Sequence, residues 1–235
     1  MNRHSLQRLD SPARSSSALI HVVGLASFQA TFSSLFSDPN PNPVFEGYGG
    51  AFNYLTIIGL ALARITFLVG LLADLTRSST LFSVKNALSV CSAPLELVIS
   101  ILYWGLRAIS RELVAPPGIT LPFLPDIGCH AMPAIMLTLD LLLLSPPWTI
   151  KAYGAMALSM TLAVFYWIWI EHCFSQNGWY PYPIMEMLGT WQRVLLFGFG
   201  ALLMAGSVMV LKWLYGKLNG IEEFQKEATN PLKLA

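Results

Sequence analysis

Three residues of this chain, Thr56, His130 and Asp126, have the chemistry that acyl transfer requires. A Thr hydroxyl is a weak nucleophile at neutral pH and needs an adjacent base, for which a neutral His is the usual choice. Asp126 stands one helical turn before His130, where a carboxylate can orient an imidazole. The developing oxyanion then needs donors, and Asn53, Arg111, Tyr180 and the backbone amides near Gly49 and Gly50 are the candidates. A different grouping, His130, His172 and Glu171 with Asp126 or Glu112, has the two-His-plus-carboxylate composition of a catalytic zinc site. No H-E-x-x-H spacing supports it, so neither a metal nor a cofactor is expected.

The elements that must position these residues are membrane spans. Of 235 residues 54% are hydrophobic and 11% charged, with a mean hydropathy of +0.56. Since a soluble domain carries about 25% charged residues, an ordinary water-soluble globule is excluded. A net charge of +1 leaves no basic surplus to hold nucleic acid. Cys91, Cys129 and Cys173 are too far apart for a disulfide scaffold and read as buried thiols.

Six apolar stretches approach the roughly 20 residues needed to cross a bilayer. They run from Ser17 to Phe36, Phe52 to Ala73, Ala87 to Ile109, Ile127 to Leu144, Ala152 to Ile170 and Gly189 to Tyr215. Pro, Asn and Gly break the connectors, as in Ser37 to Gly50 and at Pro116-Pro117-Gly118. The expected fold is an all-α bundle of six transmembrane helices. Residues 1–16 form an N-terminal arm, 17–216 one membrane domain and 217–235 a charged tail.

Orientation follows from the Lys and Arg of alternating connectors. Arg3, Arg8, Arg14, Arg77, Lys85, Lys151, Lys212, Lys217, Lys226 and Lys233 fall on the side of the N-terminus, against Arg111 alone in the opposite connectors. Both termini are expected in the cytosol, in the endoplasmic reticulum or plasma membrane.

With the spans fixed, Thr56, His130, His172, Arg111 and Glu112 all fall in one layer near the opposite face. Each has a plainer reading. A Thr in a transmembrane helix usually bonds back to the carbonyl four residues earlier, and a His near a helix end is commonly an interfacial polar residue. Their shared depth is what singles them out. Arg64, Glu96 and Asp140 fall deeper, at the midplane, and are expected to pair there because a lone charge in hydrocarbon is costly. Those charges also support a transporter, channel or scaffold reading, although no duplicated hydropathy pattern accompanies them.

The segments Tyr48 to Thr56 (YGGAFNYLT), Arg111-Glu112, Gly128-Cys129-His130 and Trp169 to Glu186 resemble the androgen-induced family of six-span membrane proteins, which includes the androgen-dependent regulator of tissue factor pathway inhibitor. The resemblance runs from about Tyr48 to Leu218. It implies an intramembrane hydrolase that cleaves fatty acid esters of hydroxy fatty acids, with Thr56 as nucleophile and His130 as its partner. The implied partners are the bilayer and a lipid ester dissolved in it. Ala51 to Tyr54 and Ile127 depart from the family pattern, which leaves the preferred ester open.

Overall fold

The computed structural model describes residues 4–36, 43–115 and 121–220. Among them are α1 (Ser16–Phe36), α2 (Leu55–Thr76), α3 (Ser79–Ile109), α4 (Phe123–His130), α5 (Met132–Leu144), α6 (Ala152–Asn177), α7 (Pro183–Met187) and α8 (Thr190–Asn219). Five of these helices are long and apolar enough to cross a membrane, and α4 with α5, a bent pair, makes six when taken as one span. The break at Pro116-Pro117-Gly118, Arg3 and the tail beyond residue 220 lie outside the described residues.

Several span boundaries differ from the sequence expectation, the fifth span running on to Asn177, and two of the differences have a direct physical reason. The third helix begins at Ser79, not Ala87. Arg77 closes α2 in the left-handed conformation and the Ser78 side chain accepts from the Leu81 amide at 3.3 Å, so a two-residue turn reverses the chain. Lys85, expected in a connector, is consequently inside α3 and fully buried. The fourth span is not one helix. It starts at Phe123, stops at His130 and resumes at Met132 with a 42° bend. Pro133, in the first turn of α5, cannot continue the preceding helix because it lacks an N–H and its ring crowds the earlier turn. That break leaves His130 at a helix end.

Polarity is inverted relative to a soluble protein. Large apolar side chains such as Phe165, Ile168, Leu195, Phe199, Leu202 and Trp213 are exposed, while Lys85, Glu96, Asp74, Asp140 and His21 are buried. Such an exterior suits hydrocarbon, and such an interior requires internal partners. Close approach of α1 supplies some of them. A Cβ on Gly70 of α2 would lie 2.4 Å from the His21 ring, and one on Gly128 of α4 would lie 2.3 Å from the Thr31 hydroxyl.

The N-terminal arm folds across the bundle end. The Leu9 amide and the Gln7 side chain donate to the Leu143 and Leu144 carbonyls at 2.9 and 2.6 Å, satisfying groups that the end of α5 leaves open. Arg8 reaches Asn219 at 3.0 Å. The arm and the end of α8 therefore share one face.

Candidate active site

Thr56 sits in the first turn of α2 because of the turn that precedes it. Gly49 and Gly50 adopt φ of 83° and 53°, a left-handed conformation suited to Gly, and a 3-10 turn from Gly50 to Asn53 delivers the chain to α2. Asn53 is buried and donates to the Tyr48 and Gly50 carbonyls at 2.7 and 2.9 Å. Its amide hydrogens are spent on the turn, so it does not supply the oxyanion donor expected of it. Tyr166 and Trp169 of α6 hold the same turn by donating to the Asn53 and Phe52 carbonyls, both at 2.9 Å.

This placement separates Thr56 from four other helical threonines. Thr31, Thr66, Thr76 and Thr161 each donate to the carbonyl four residues earlier. For Thr56 that carbonyl belongs to Phe52, which lies before the helix and already accepts from Trp169. Thr56 instead faces the same cavities as Tyr182, whose hydroxyl accepts from the Leu55 amide at 3.0 Å.

His130 is fixed on three sides. Its Nδ1 is 3.0 Å from Asp126 Oδ1, its ring stacks on Tyr103 with centroids 3.3 Å apart, and its carbonyl accepts from Trp104 at 3.2 Å. Asp126 also accepts from the Tyr103 hydroxyl and from Arg107. A carboxylate at Nδ1 stabilises the tautomer with its proton there, which leaves the Nε2 lone pair available.

Thr56 and His130 line one cavity of about 100 Å³, together with Tyr54, Tyr103, Arg107 and Arg111. Thr56, Tyr103 and Tyr182 also border a larger cavity of about 360 Å³ whose walls are almost wholly apolar. Thr56 is therefore at the junction of a small chamber that carries His130, Arg107 and Arg111 and a larger one that is almost wholly apolar.

Other sequence candidates lie elsewhere. Glu112 is exposed in a short 3-10 turn. His172 is exposed and bonds Tyr48 at 3.2 Å, whereas Tyr180 donates to Glu171 at 2.9 Å and is held by Arg193, away from both cavities. No group of three His, Cys, Asp or Glu suited to a metal ion occurs among the described residues, so the zinc grouping is not assembled.

The midplane cluster is corrected. Arg64 is exposed and lies over the Phe32 ring at 5.6 Å. Glu96 is 1% exposed and its Oε1 has no partner. Asp140 belongs to a different cluster nearer the arm: Lys85 Nζ lies 3.0 and 2.9 Å from its two oxygens, and His21 Nε2 lies 3.1 Å from Oδ1. The other nitrogen of His21 is 2.7 Å from Asp74, which also accepts from Ser17 at 2.7 Å. Asp140 lies four residues from the arm-side end of α5, and Lys85 lies inside α3, not in a connector. Asp74, Asp140, His21 and Lys85 all lie two to six residues from helix ends on the arm side, and that shared depth is the signal of the cluster.

An all-helical bundle with an apolar exterior and internally paired charges is a multi-pass integral membrane protein. The profile of the FAR-17a/AIG1-like protein family matches residues 16–216, and the chain belongs to that family. It is 30% identical over 207 residues to a UPF0641 membrane protein of Schizosaccharomyces pombe, covering 87% of this chain and 92% of that one. To the androgen-induced gene 1 protein of Homo sapiens it is 26% identical over 180 residues, 69% of this chain and 75% of that one. No solved structure matches.

Proposed function

We propose that the protein is an intramembrane lipid ester hydrolase acting on fatty acid esters of hydroxy fatty acids or similarly apolar esters. The observation that carries this reading is the presence of Thr56 and an Asp126-oriented His130 in one small cavity. His130 Nε2 takes the Thr56 proton as Oγ1 bonds to the ester carbonyl carbon. The imidazolium then returns that proton to the departing alkoxide as the ester C–O bond breaks, leaving an acyl-Thr56 ester and a free alcohol. Water, deprotonated by the same nitrogen, attacks the acyl carbon, and Thr56 recovers its proton as the fatty acid leaves.

A fluorophosphonate probe on purified protein tests this, because labelling requires an activated hydroxyl. Thr56→Ala and His130→Ala should each abolish labelling and turnover in folded protein, with no greater loss in the double variant because the pair acts as a unit. Thr56→Ser should keep part of the activity. Folded Thr56→Ala that hydrolyses esters at the wild-type rate overturns the assignment.

The face carrying the arm and the end of α8 is assigned to the cytosol, in the endoplasmic reticulum or plasma membrane. With Lys85 removed from the connectors, Lys and Arg still favour that face over the one bearing Arg111. A terminal tag accessible only from outside intact cells would reverse it.

A further inference from the structure

The larger chamber extends away from Thr56 toward the middle of three helices. Its wall runs from Leu106 to Leu95 on α3, from Trp169 to Ser159 on α6 and from Leu196 to Met204 on α8, spans of about 12 to 17 Å at the helical rise. The polar groups along it are already engaged. Ser159 donates to Ala155 at 2.8 Å, Tyr166 and Trp169 hold the turn before Thr56, and Tyr103 is bonded to Asp126. The ligand it suits therefore has no polar atom beyond the reacting group.

Its size also selects a shape. About 360 Å³ spread over about 15 Å gives a channel about 5 to 6 Å across, too narrow for two chains whose carbons touch at about 4 Å. One unbranched chain fills it. At on the order of 30 Å³ per carbon, the volume of a water in the liquid, it holds about ten to twelve carbons.

Building on the hydrolase reading, we propose that this chamber receives the acyl half of the ester tail-first, and that the alcohol half leaves through the smaller chamber lined by His130, Arg107 and Arg111. The chemistry fixes this direction. The alkoxide oxygen must face His130 to receive its proton, so the acyl chain, still bonded to Thr56, extends into the opposite chamber. Gly200 then sets how much chain fits. It lines the apolar chamber, and a Cβ added there meets nothing within 4 Å, so a larger side chain takes up space otherwise open to the ligand.

The test is hydrolysis of p-nitrophenyl esters from butanoyl to hexadecanoyl by the full-length protein in lipid nanodiscs. For the wild type, kcat/KM should rise about fourfold per added carbon, the effect of burying one methylene, and level off near the decanoyl or dodecanoyl ester. Gly200→Leu should move the plateau to shorter chains by about four carbons and lower the dodecanoyl value about 250-fold, with the butanoyl ester unaffected. Ala163→Leu, on the α6 wall of the same chamber, provides a second variant. Should neither fold, the chain-length dependence of wild-type labelling by alkyl fluorophosphonates decides, and a flat profile overturns the proposal. So does a Gly200→Leu protein that slows all acyl lengths equally, or one that responds to alcohol length instead. Butanoyl hydrolysis that survives Thr56→Ala sinks the hydrolase reading itself, whereas a Thr56-dependent activity indifferent to acyl length sinks only the chamber assignment.

Discussion

Two clusters in this bundle are built from the same parts and are suited to different work. Near one face, His130 meets Asp126 beside Tyr103 and Arg107; near the other, His21 meets Asp74 and Asp140 beside Lys85. His21 has a carboxylate on each ring nitrogen, so both nitrogens are satisfied only when both carry protons. Two carboxylates, an ammonium and an imidazolium then sum to zero, with every member 0% exposed. His130 has a carboxylate on one nitrogen only, and its ring borders a cavity. A His–Asp pair does chemistry where one nitrogen and some space are left over. Where neither is left, it ties helices together.

The sharpest way to break this comparison is the same substitution in both clusters. Asp126→Asn should leave the protein folded and lower kcat by about 10³- to 10⁴-fold, the scale on which triads lose activity when the orienting carboxylate is removed. Asp74→Asn should reduce the yield of folded protein while leaving the activity of each folded molecule unchanged. Thermal unfolding and active-site titration separate the two effects. Reversed outcomes would exchange the roles of the clusters.

Lys85→Met comes next. Removing one partner of a fully buried pair costs about 3–5 kcal/mol because the other charge is stranded. Lys85→Met with Asp140→Leu should recover most of that loss, since the His21–Asp74 pair that remains is balanced. A double variant as unstable as the single one, by chemical denaturation in micelles, would mean that Lys85 acts through packing and not through charge.

Tyr103→Phe probes the outer cluster more gently. It keeps the ring against His130 and removes one of the donors to Asp126. A hydrogen bond to a charged group contributes about 1.5–3 kcal/mol, so turnover should fall about tenfold or somewhat more, without loss of folding. A wild-type rate would show that Arg107 alone suffices to fix the carboxylate.

The contrast also explains what was legible in the sequence. Helix-length hydropathy revealed the spans, because the bilayer demands length and apolarity and little else. Thr56 and His130 stood out by shared depth, and the structure lines one cavity with them. Side-chain direction was not legible. Arg64 and Glu96 share a depth, yet one points outward over Phe32 and the other is buried with its Oε1 unpartnered among the described residues. The kink at Ala131, which Pro133 announces, breaks the fourth span, and Asp140 beyond it meets Lys85 and His21. Tyr182 was passed over for Tyr180 in the same connector, since both are aromatic residues of an interfacial loop. What separates them is that the Tyr182 hydroxyl reaches the first turn of α2.

Glu96 belongs to neither cluster, and its replacement should have the smallest effect. It lies on α3 between Lys85 and Tyr103, 1% exposed, with Oε1 unpartnered and in the space a Cβ on Gly59 would need. A buried carboxyl without a partner carries a desolvation cost that no contact returns. Glu96→Gln should therefore change stability by less than about 1 kcal/mol, and Glu96→Leu, of similar volume and wholly apolar, should raise it by about 1 kcal/mol. Neither should alter turnover, because Glu96 borders neither cavity. A loss of about 2 kcal/mol or more in Glu96→Leu, on the scale expected for breaking a satisfied buried hydrogen bond, would show that the carboxyl has a partner in the membrane. The division of the interior into one reactive and one structural cluster would then have to admit a third.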